Sequence, residues 1–291
     1  MREKVIDVRV YYPENFNALV SLFNKNLDNY IIYNEIDFHK NIEVFVKKEI
    51  SGDFFVINNF EKFNKVLLKS NFLEMGPCLT YDAILQFGER NIPRLFYEFI
   101  SRLSDRIYLS SINIANGFYY KNTVFDLYPL LLSLDAHLEF KDISTKKTYT
   151  YNAYSINRDD YIQNRNTLFL SKLKFPITNL WNKSFYSRIF VENFSFDILE
   201  EVNIIFVCVL LNIKRDIISD FLMKIFYNDK VITLRDFQVL LINKSLPLSI
   251  FEIEDSLKML DKSIRDAKNF ILGERSLRLI KNFYFDILSN F

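Results

Sequence analysis

The apolar segments in the last third of the chain follow an order that restricts the fold, because strand candidates come first and helix candidates come last. The strand candidates are Tyr186–Val191, Val202–Leu211 and Ile217–Tyr227, and the helix candidates are Leu234–Asn243, Ile250–Asp266 and Glu274–Leu288. Ser249 followed by Glu252 has the spacing of a capping box, and Thr233 before Asp236 has it more weakly. Strands grouped before helices predict an α+β domain in which a sheet and helices form separate layers.

A boundary between two domains is predicted at Pro176, since the stretch after it has neither strand nor helix periodicity. We therefore expect one domain at residues 1–176 and a second at residues 177–291. The first domain divides again near residue 58, because a small unit of strand, helix, strand and strand precedes that point. This gives two subdomains, at about 1–58 and 59–176.

Elements of the first domain are marked by periodic apolar residues, turn residues and caps. The strand candidates are Tyr30–Tyr33, Phe54–Ile57, the hairpin Val66–Lys69 with Phe72–Met75, Thr148–Tyr151 and Thr167–Leu173. The helix candidates are Asn17–Leu27, Tyr81–Phe87 and Pro93–Leu103, and Leu130–Phe140 is expected to run from helix into strand. Thr80 is placed to cap the Tyr81–Phe87 helix, and Gly88 is placed to end it.

Charge and apolar content are those of an ordinary globular protein, with 49% apolar residues, 25% charged residues and a net charge of +1. A nucleic-acid-binding protein normally shows a basic excess, whereas 37 basic side chains here meet 36 acidic ones. The longest apolar run, Ile204–Leu211, is far shorter than the ~20 residues that span a bilayer, and the first residues lack the apolar core of a signal peptide. We therefore expect no nucleic-acid partner, no membrane span and a cytoplasmic location.

Cysteine and histidine are too few for a metal centre. Cys78 and Cys208 are the only cysteines, and with His39 and His137 they show no zinc-binding spacing. An iron–sulfur cluster usually needs four cysteine thiolates, so the chain cannot hold one alone. Both cysteines have apolar neighbours and are expected to be buried, and His137 is expected to be a half-buried packing residue. The glycine motifs of P-loop proteins, α/β-hydrolases and dinucleotide-binding βαβ units are also missing.

Several short segments, taken in order, resemble the flavin-binding medium subunit of the molybdenum hydroxylases, the family of xanthine dehydrogenase and aerobic carbon monoxide dehydrogenase. Met75-Gly76 with Thr80 resembles the family's Ile-Gly-Ala and the Thr-Thr pair before a helix. Asp126-Leu-Tyr-Pro129 and Leu134-Asp-Ala136 are similar to its Asp-Leu-Ala-Pro and Leu-Asp-Ala patterns. The resemblance covers nearly the whole chain. It implies a two-part FAD-binding domain of the PCMH type, followed by a flavoprotein C-terminal-like domain of antiparallel sheet and helices.

The family holds the FAD pyrophosphate in two glycine-rich loops, and this chain has different residues in both. The first loop, Ala-Gly-Gly-Thr-Asp in the family, corresponds to Tyr33-Asn-Glu-Ile-Asp37, where only the aspartate is retained. The second, Gly-Gly-Asn in the family, corresponds to Ile114-Ala-Asn116. By resemblance, the cofactor-binding residues are Tyr33, Asn34, Glu35, Ile36, Asp37, Thr80, Ile112, Asn113, Ile114, Ala115, Asn116 and Asp126.

The scarcity of glycine bears directly on these loops, since the chain has 5 glycines where average usage would give roughly 20. A pyrophosphate cradle needs successive backbone N–H groups aimed at one anion, often at positive φ. Asn34 tolerates that conformation, whereas Glu35 and the β-branched Ile114 tolerate it poorly. If FAD binds, we expect Glu35 to point away from the phosphates. If the flavin is lost, we expect Tyr33, Glu35 or Ile114 to fill the phosphate position.

Two functions of different class follow from the resemblance. The first is an FAD-binding electron-transfer subunit that takes electrons from an iron–sulfur small subunit, in a complex that also contains a molybdopterin large subunit. In that function the flavin carries the chemistry and the protein positions it. The alternative is a flavin-free scaffold or interaction protein of the same fold. Whether the purified protein is yellow distinguishes the two.

Overall fold

The computed structural model describes residues 8–23, 28–39, 52–103, 106–177, 184–191, 204–227, 230–267 and 272–290. The chain forms two compact units. Unit 1 comprises Met1–Ile92, Ile100–Tyr120 and Leu134–Ile177, and unit 2 comprises Pro93–Phe99, Lys121–Ser133 and Thr178–Phe291. Two segments that precede Pro176, Pro93–Phe99 and Lys121–Ser133, therefore belong to the second unit. A single boundary in the sequence cannot describe this division.

Unit 1 contains a small parallel sheet with the strand order β1-β3-β2. Its elements are β1 (Val8–Tyr11), α1 (Phe16–Leu22), β2 (Asp28–Ile32), α2 (35–39) and β3 (Gly52–Val56). Asn15 caps α1, because its side chain accepts the N–H of Ala18 at 3.0 Å. The predicted helix Asn17–Leu27 is confirmed as far as Leu22, and Leu27 lies outside the described residues.

Unit 1 also contains a five-stranded antiparallel sheet, with the strand order β4-β5-β8-β6-β7. Its strands are β4 (Val66–Leu68), β5 (Phe72–Met75), β6 (His137–Asp142), β7 (Thr148–Asn152) and β8 (Leu168–Pro176). The helices of this part are α3 (Tyr81–Gln86), α5 (Arg106–Ser111), α6 (Ile114–Tyr119) and α8 (Arg158–Gln163), with 3-10 turns at Glu61–Asn64 and Ala153–Ser155. The hairpin, the Thr80 cap and the strands predicted here are confirmed, whereas α5, α6 and α8 were not predicted.

Gly76 shows why one glycine of the family pattern is retained in unit 1. Its backbone N–H donates to Lys65 O at 3.0 Å, which brings the chain against the 3-10 turn before β4. A Cβ atom at position 76 would lie 2.2 Å from the carbonyl oxygen of Phe63, a contact that real Cβ atoms do not make. The close approach of two backbones therefore requires glycine here.

Unit 2 contains a four-stranded antiparallel sheet with the order β12-β11-β10-β9, and helices pack on it. The strands are β9 (Ser184–Val191), β10 (Ile204–Lys214), β11 (Ile217–Tyr227) and β12 (Lys230–Thr233). The helices are α4 (Arg94–Ser101, whose last residues belong to unit 1), α7 (Tyr128–Ser133), α9 (Arg235–Leu241), α10 (Ile250–Arg265) and α11 (Glu274–Ser289). Strands before helices, as predicted, give an α+β layer structure with antiparallel sheets.

The apolar run of β10 is explained by burial on both faces of the sheet. Val207 and Val209 belong to the core formed with the helices, whereas Phe206 packs on the other face against Phe99 of α4, with ring centroids 5.6 Å apart. In the core, the ring of Phe237 lies 5.2 Å from that of Tyr284. A strand buried on both faces has no polar alternation, which is why this run is continuous.

Two caps predicted for unit 2 have different outcomes. The Ser249 side chain accepts the N–H of Glu252, and the Glu252 carboxylate accepts the N–H of Ser249 at 3.0 Å, so the predicted capping box is confirmed. The prediction of a cap at Thr233 is wrong, because Thr233 is the last residue of β12. The N-cap of α9 is Leu234, whose side chain forms no capping hydrogen bond. Strand β12, which the sequence did not reveal, takes up the residues before that helix.

One buried cysteine lies in each unit, Cys78 in unit 1 and Cys208 in unit 2, and neither forms a disulfide. Burial raises the pKa of the Cys78 thiol well above its ordinary range, and the pKa of Cys208 to about 12. His137 is half-buried on β6, and its ring centroid lies 5.6 Å from that of Phe72. These three residues are therefore packing residues, as predicted.

Candidate functional site

The first predicted loop leads into a short helix rather than into an open cradle. Helix α2 begins after Asn34, whose side-chain oxygen accepts the N–H of Asp37 at 3.0 Å. Glu35 and Ile36 therefore lie in the first helical turn, where backbone N–H groups have no partner within the helix. The Glu35 side chain is exposed and Ile36 is half-buried. The Glu35 carboxylate therefore lies at the surface of the protein.

The second predicted loop is the junction between α5 and α6. Asn113 caps α6: its side chain accepts the N–H of Asn116 at 2.9 Å, and the Asn116 side chain accepts the N–H of Asn113 at 3.0 Å. Residues Ile114, Ala115 and Asn116, assigned to the family's Gly-Gly-Asn loop, form the first turn of this helix. The connection between the two helices is therefore only Ile112 and Asn113.

Every backbone N–H from Ile112 to Asn116 already has an acceptor inside unit 1. Besides the capping box, Ile112 N donates to Tyr108 O at 2.9 Å, Ile114 N to Leu79 O at 3.0 Å and Ala115 N to Pro77 O at 2.9 Å. Thr80 adds a β-bridge to Asn113, and its hydroxyl caps α3 by accepting the N–H of Ala83 at 3.1 Å. The backbone donors that a phosphate would need are used by the fold itself.

Side chains join the two loops directly. The Asn34 amide nitrogen donates to the carbonyl oxygen of Ser111 at 2.7 Å and to the side-chain oxygen of Asn116. The Asn113 amide nitrogen donates to the carbonyl oxygen of Tyr33 at 3.4 Å. We call Asn34, Asn113 and Asn116 the asparagine bridge, since their amide groups connect the segment 33–37 to the start of α6.

Asp37 is the centre of a buried cluster beneath the first loop. It is 1% exposed, and its carboxylate accepts the N–H of Tyr33 at 2.9 Å and the hydroxyl of Tyr120. An Arg165 nitrogen lies 3.2 Å from the same carboxylate and also donates to the carbonyl oxygen of Ile31 at 3.1 Å. The single retained residue of the family loop is therefore an anchor that fixes the loop to the body of unit 1.

The tyrosines of this cluster remain protonated. Burial raises the pKa of Tyr33 well above its ordinary value and that of Tyr119 to about 12, and burial together with the adjacent Asp37 raises that of Tyr120 strongly. Burial lowers the pKa of Arg165, but the Asp37 carboxylate and the three neighbouring tyrosines together outweigh burial and raise it. The cluster thus contains one carboxylate, one guanidinium and neutral hydroxyls, so its charge is balanced.

Asp126 belongs to the other unit. Its carboxylate accepts the N–H of Asn122 at 2.8 Å and the N–H of Tyr128 at 2.8 Å, and it thereby begins helix α7. The structure brings together Tyr33, Asn34, Asp37, Asn113 and Asn116 in unit 1, while Asp126 has a capping role in unit 2.

Tyr120 and Arg165, which both contact Asp37, were not found from the sequence. Arg165 is far from Asp37 in the chain, and no spacing rule connects them. Helix α6 did leave a signal, because Asn113 and Asn116 stand three residues apart, as the two partners of a capping box do. That pattern predicts a helix start at Ile114 and argues against a loop there.

FAD is the cofactor that the resemblance implies, and its fit depends on these donors. The first loop offers the N–H groups of Glu35 and Ile36, but the second offers none, because its amides donate within unit 1. Arg165 is paired with Asp37. As arranged here, the residues of the second loop do not fit a pyrophosphate. In the part of the chain that the structure describes, no group of three or more histidine, cysteine or acidic residues could hold a metal ion.

Among the described residues, no helix has the length and apolar character required to cross a membrane. No model of a known protein family matches the chain, and no curated protein sequence matches it. Solved structures do match its fold over nearly its full length.

A chain of quinoline 2-oxidoreductase from Pseudomonas putida 86 is similar with a TM-score of 0.68 and 9% identity, over 100% of this chain and 98% of that chain. A chain of carbon monoxide dehydrogenase from Oligotropha carboxidovorans has a TM-score of 0.65 and 11% identity, over 98% and 96%. The carbon monoxide dehydrogenase of Hydrogenophaga pseudoflava, in a form that lacks the Mo-pyranopterin moiety, has a TM-score of 0.60 and 8% identity, over 98% and 95%.

These similarities define the class of fold: a mixed helix and sheet chain, which among the described residues has two antiparallel sheets and a small parallel one. The resemblance drawn from the sequence is confirmed at the level of the fold, since its structural neighbours over the full length are molybdenum hydroxylases. At 8–11% identity the likeness concerns the fold and carries no residue of the site with it.

Proposed function

We propose that the chain is a flavin-free scaffold subunit of a molybdenum hydroxylase-type oxidoreductase. In this function it takes the place of the flavin-carrying medium subunit and contacts an iron–sulfur small subunit and a molybdopterin large subunit. The observation that carries the proposal is the combination of a full-length fold match with a second loop whose backbone N–H groups are all used. The fold supports assembly with such partners, and the occupied donors oppose a bound dinucleotide.

The redox groups of such an assembly would lie in the partner subunits. The two cysteines are buried with raised pKa values, whereas metal ligation needs the thiolate. We therefore assign the chain no catalytic residue. Its contribution to the reaction would be to hold the two partners in one complex.

Affinity purification of a tagged copy from the native host tests this function. We expect two further chains to co-purify, one containing iron and the other molybdenum, as measured by mass spectrometry and metal analysis. Acid extraction of the complex should release no FAD in proportion to this chain. Recovery of the protein only as a lone monomer would contradict the assembly, and stoichiometric FAD would contradict the flavin-free part.

The FAD-binding electron-transfer function is the second candidate, and one observation favours it. The Glu35 side chain is exposed, so solvent and salt screen its repulsion of a phosphate at the helix start. In this function, extraction yields one FAD per chain and the purified protein is yellow.

A further inference from the structure

The asparagine bridge uses all of its side-chain amide groups. Asn34 accepts the N–H of Asp37 and donates across to Ser111 and Asn116. Asn113 accepts the N–H of Asn116 and donates to Tyr33 O, and the Asn116 oxygen accepts the N–H of Asn113. The Asn116 amide nitrogen lies 3.5 Å from the Asn34 oxygen. Each of the three amides therefore has both its oxygen and its nitrogen within hydrogen-bonding distance of unit 1.

Burial makes this bridge costly to open. Asn113 and Asn116 are each 1% exposed, so an opened bridge would leave buried amides without partners. Unsatisfied polar groups in the interior are expensive, whereas a fully satisfied buried network is rigid. A phosphate that entered between the loops would have to replace these bonds.

A cation beside the first loop also has partners within unit 1. Arg165 lies against Asp37, and the same side chain holds the carbonyl of Ile31. The neighbouring Asn166 accepts the N–H of Ile31 at 3.1 Å, so both backbone groups of that β2 residue are bonded to the segment 165–166. One nitrogen of the guanidinium, Nη2, thus contacts both strand β2 and the aspartate, while Nε is buried without a hydrogen-bond partner.

We propose that the asparagine bridge is a lock: it fastens the first loop onto the start of α6 and thereby excludes a dinucleotide pyrophosphate from the position between them. Asn34 is the residue that closes the lock, because its amide spans the two segments. This inference rests on the proposed flavin-free function and supplies its physical cause. The pyrophosphate is then excluded by hydrogen bonds of the asparagine side chains as well as by the absence of the family's glycines.

Hydrogen exchange with mass spectrometry tests the lock on the full chain, using wild type, Asn34→Ala and the control Asn91→Ala. Asn91 is an exposed asparagine of unit 1 whose amide donates to a carbonyl four residues earlier, so its loss removes a local bond only. We expect the amides of Asp37, Asn113 and Asn116 to exchange about tenfold faster in Asn34→Ala, the effect of one lost hydrogen bond of ordinary strength. Asn91→Ala should leave them unchanged.

FAD is added to each protein in the same experiment, with flavin fluorescence as a second readout. We expect no change in exchange or fluorescence for the wild type. Equal exchange of these amides in wild type and Asn34→Ala would overturn the lock and leave the flavin-free function standing. Binding of FAD by the wild type would overturn both, and failure of the partners to co-purify would overturn only the assembly.

Discussion

The interiors of the two units are both largely apolar, but they bury their polar side chains in different arrangements. Unit 2 is held by an apolar core in which rings such as Phe221, Phe237 and Tyr284 meet between sheet and helices. Unit 1 buries an ion pair, Asp37 with Arg165, and the asparagine bridge close to it. This polar cluster lies at the two segments that the sequence resemblance aligns with the family's flavin loops. Under the proposed flavin-free function, protein groups in unit 1 make the bonds that a cofactor would otherwise make.

The largest effect is expected from Arg165→Met. The substitution leaves the Asp37 carboxylate buried without its cation, and breaking a buried pair in this way costs about 3–5 kcal/mol. The free energy of unfolding from urea titration measures it. Arg265→Met in unit 2 is the control, since Arg265 forms only exposed ion pairs with Asp261 and Glu274, and we expect no measurable loss. Equal losses of unfolding free energy in the two variants would mean that the buried ion pair stabilises the protein no more than the exposed ones.

A smaller loss is expected from Gly76→Ala in unit 1. The added Cβ atom would collide with the backbone of Phe63, and overpacking of this kind costs about 1–3 kcal/mol. Gly273→Ser in unit 2 should be neutral or slightly stabilising, because no atom lies within 4 Å of the added Cβ and serine is favoured at a helix N-cap. Thermal melts of both variants check this, and an unchanged melting temperature for Gly76→Ala would contradict the close approach.

Removal of a helix cap should lower the free energy of unfolding by a similar amount in either unit. Thr80→Ala in unit 1 and Ser249→Ala in unit 2 each remove a side-chain acceptor at a helix start, and each should cost about 1 kcal/mol in urea titration. Ser249→Thr keeps the hydroxyl that accepts the N–H of Glu252 and donates to the Glu252 carboxylate, and should recover most of the loss. A cap effect confined to one unit would show that interior chemistry, rather than local hydrogen bonding, sets the cost.

The smallest effect is expected from Glu35→Gly. Because the Glu35 side chain is exposed, its removal should change stability by no more than about 0.5 kcal/mol. We also expect no FAD-dependent rise in melting temperature for either the wild type or this variant. A rise that appears only in Glu35→Gly would show that the charge, and not the asparagine bridge, keeps the dinucleotide out.

The elements predicted correctly are those whose signals are local. The hairpin at Ser70 and Asn71, the Thr80 cap and the Ser249 capping box each depend on residues within a few positions of one another. Strand β12 and helix α9 show the limit: Thr233 has the residue type of a cap, but pairing with β11 draws it into the sheet. Tertiary pairing overrode the local preference there.

The candidate site was predictable only in part. The resemblance selected Asn34, Asp37, Asn113 and Asn116, and these residues do lie together in unit 1. Their bonding partners could not be found, because Arg165 and Tyr120 approach Asp37 from distant parts of the chain. The family pattern predicts a loop at Ile114–Asn116, whereas the spacing of Asn113 and Asn116 favours the helix start that the structure has there.

Each unit contains one buried cysteine, and the rate at which that thiol is chemically labelled reports how often the unit opens. Cys78 and Cys208 are the only cysteines in the chain, one is assigned to each unit, and their raised pKa values keep both thiols protonated in the folded state. Alkylating reagents react with the thiolate, so labelling has to wait until the surrounding unit opens. Timed labelling with iodoacetamide, read peptide by peptide, would therefore report whether unit 1 and unit 2 open together or separately, without any engineered label.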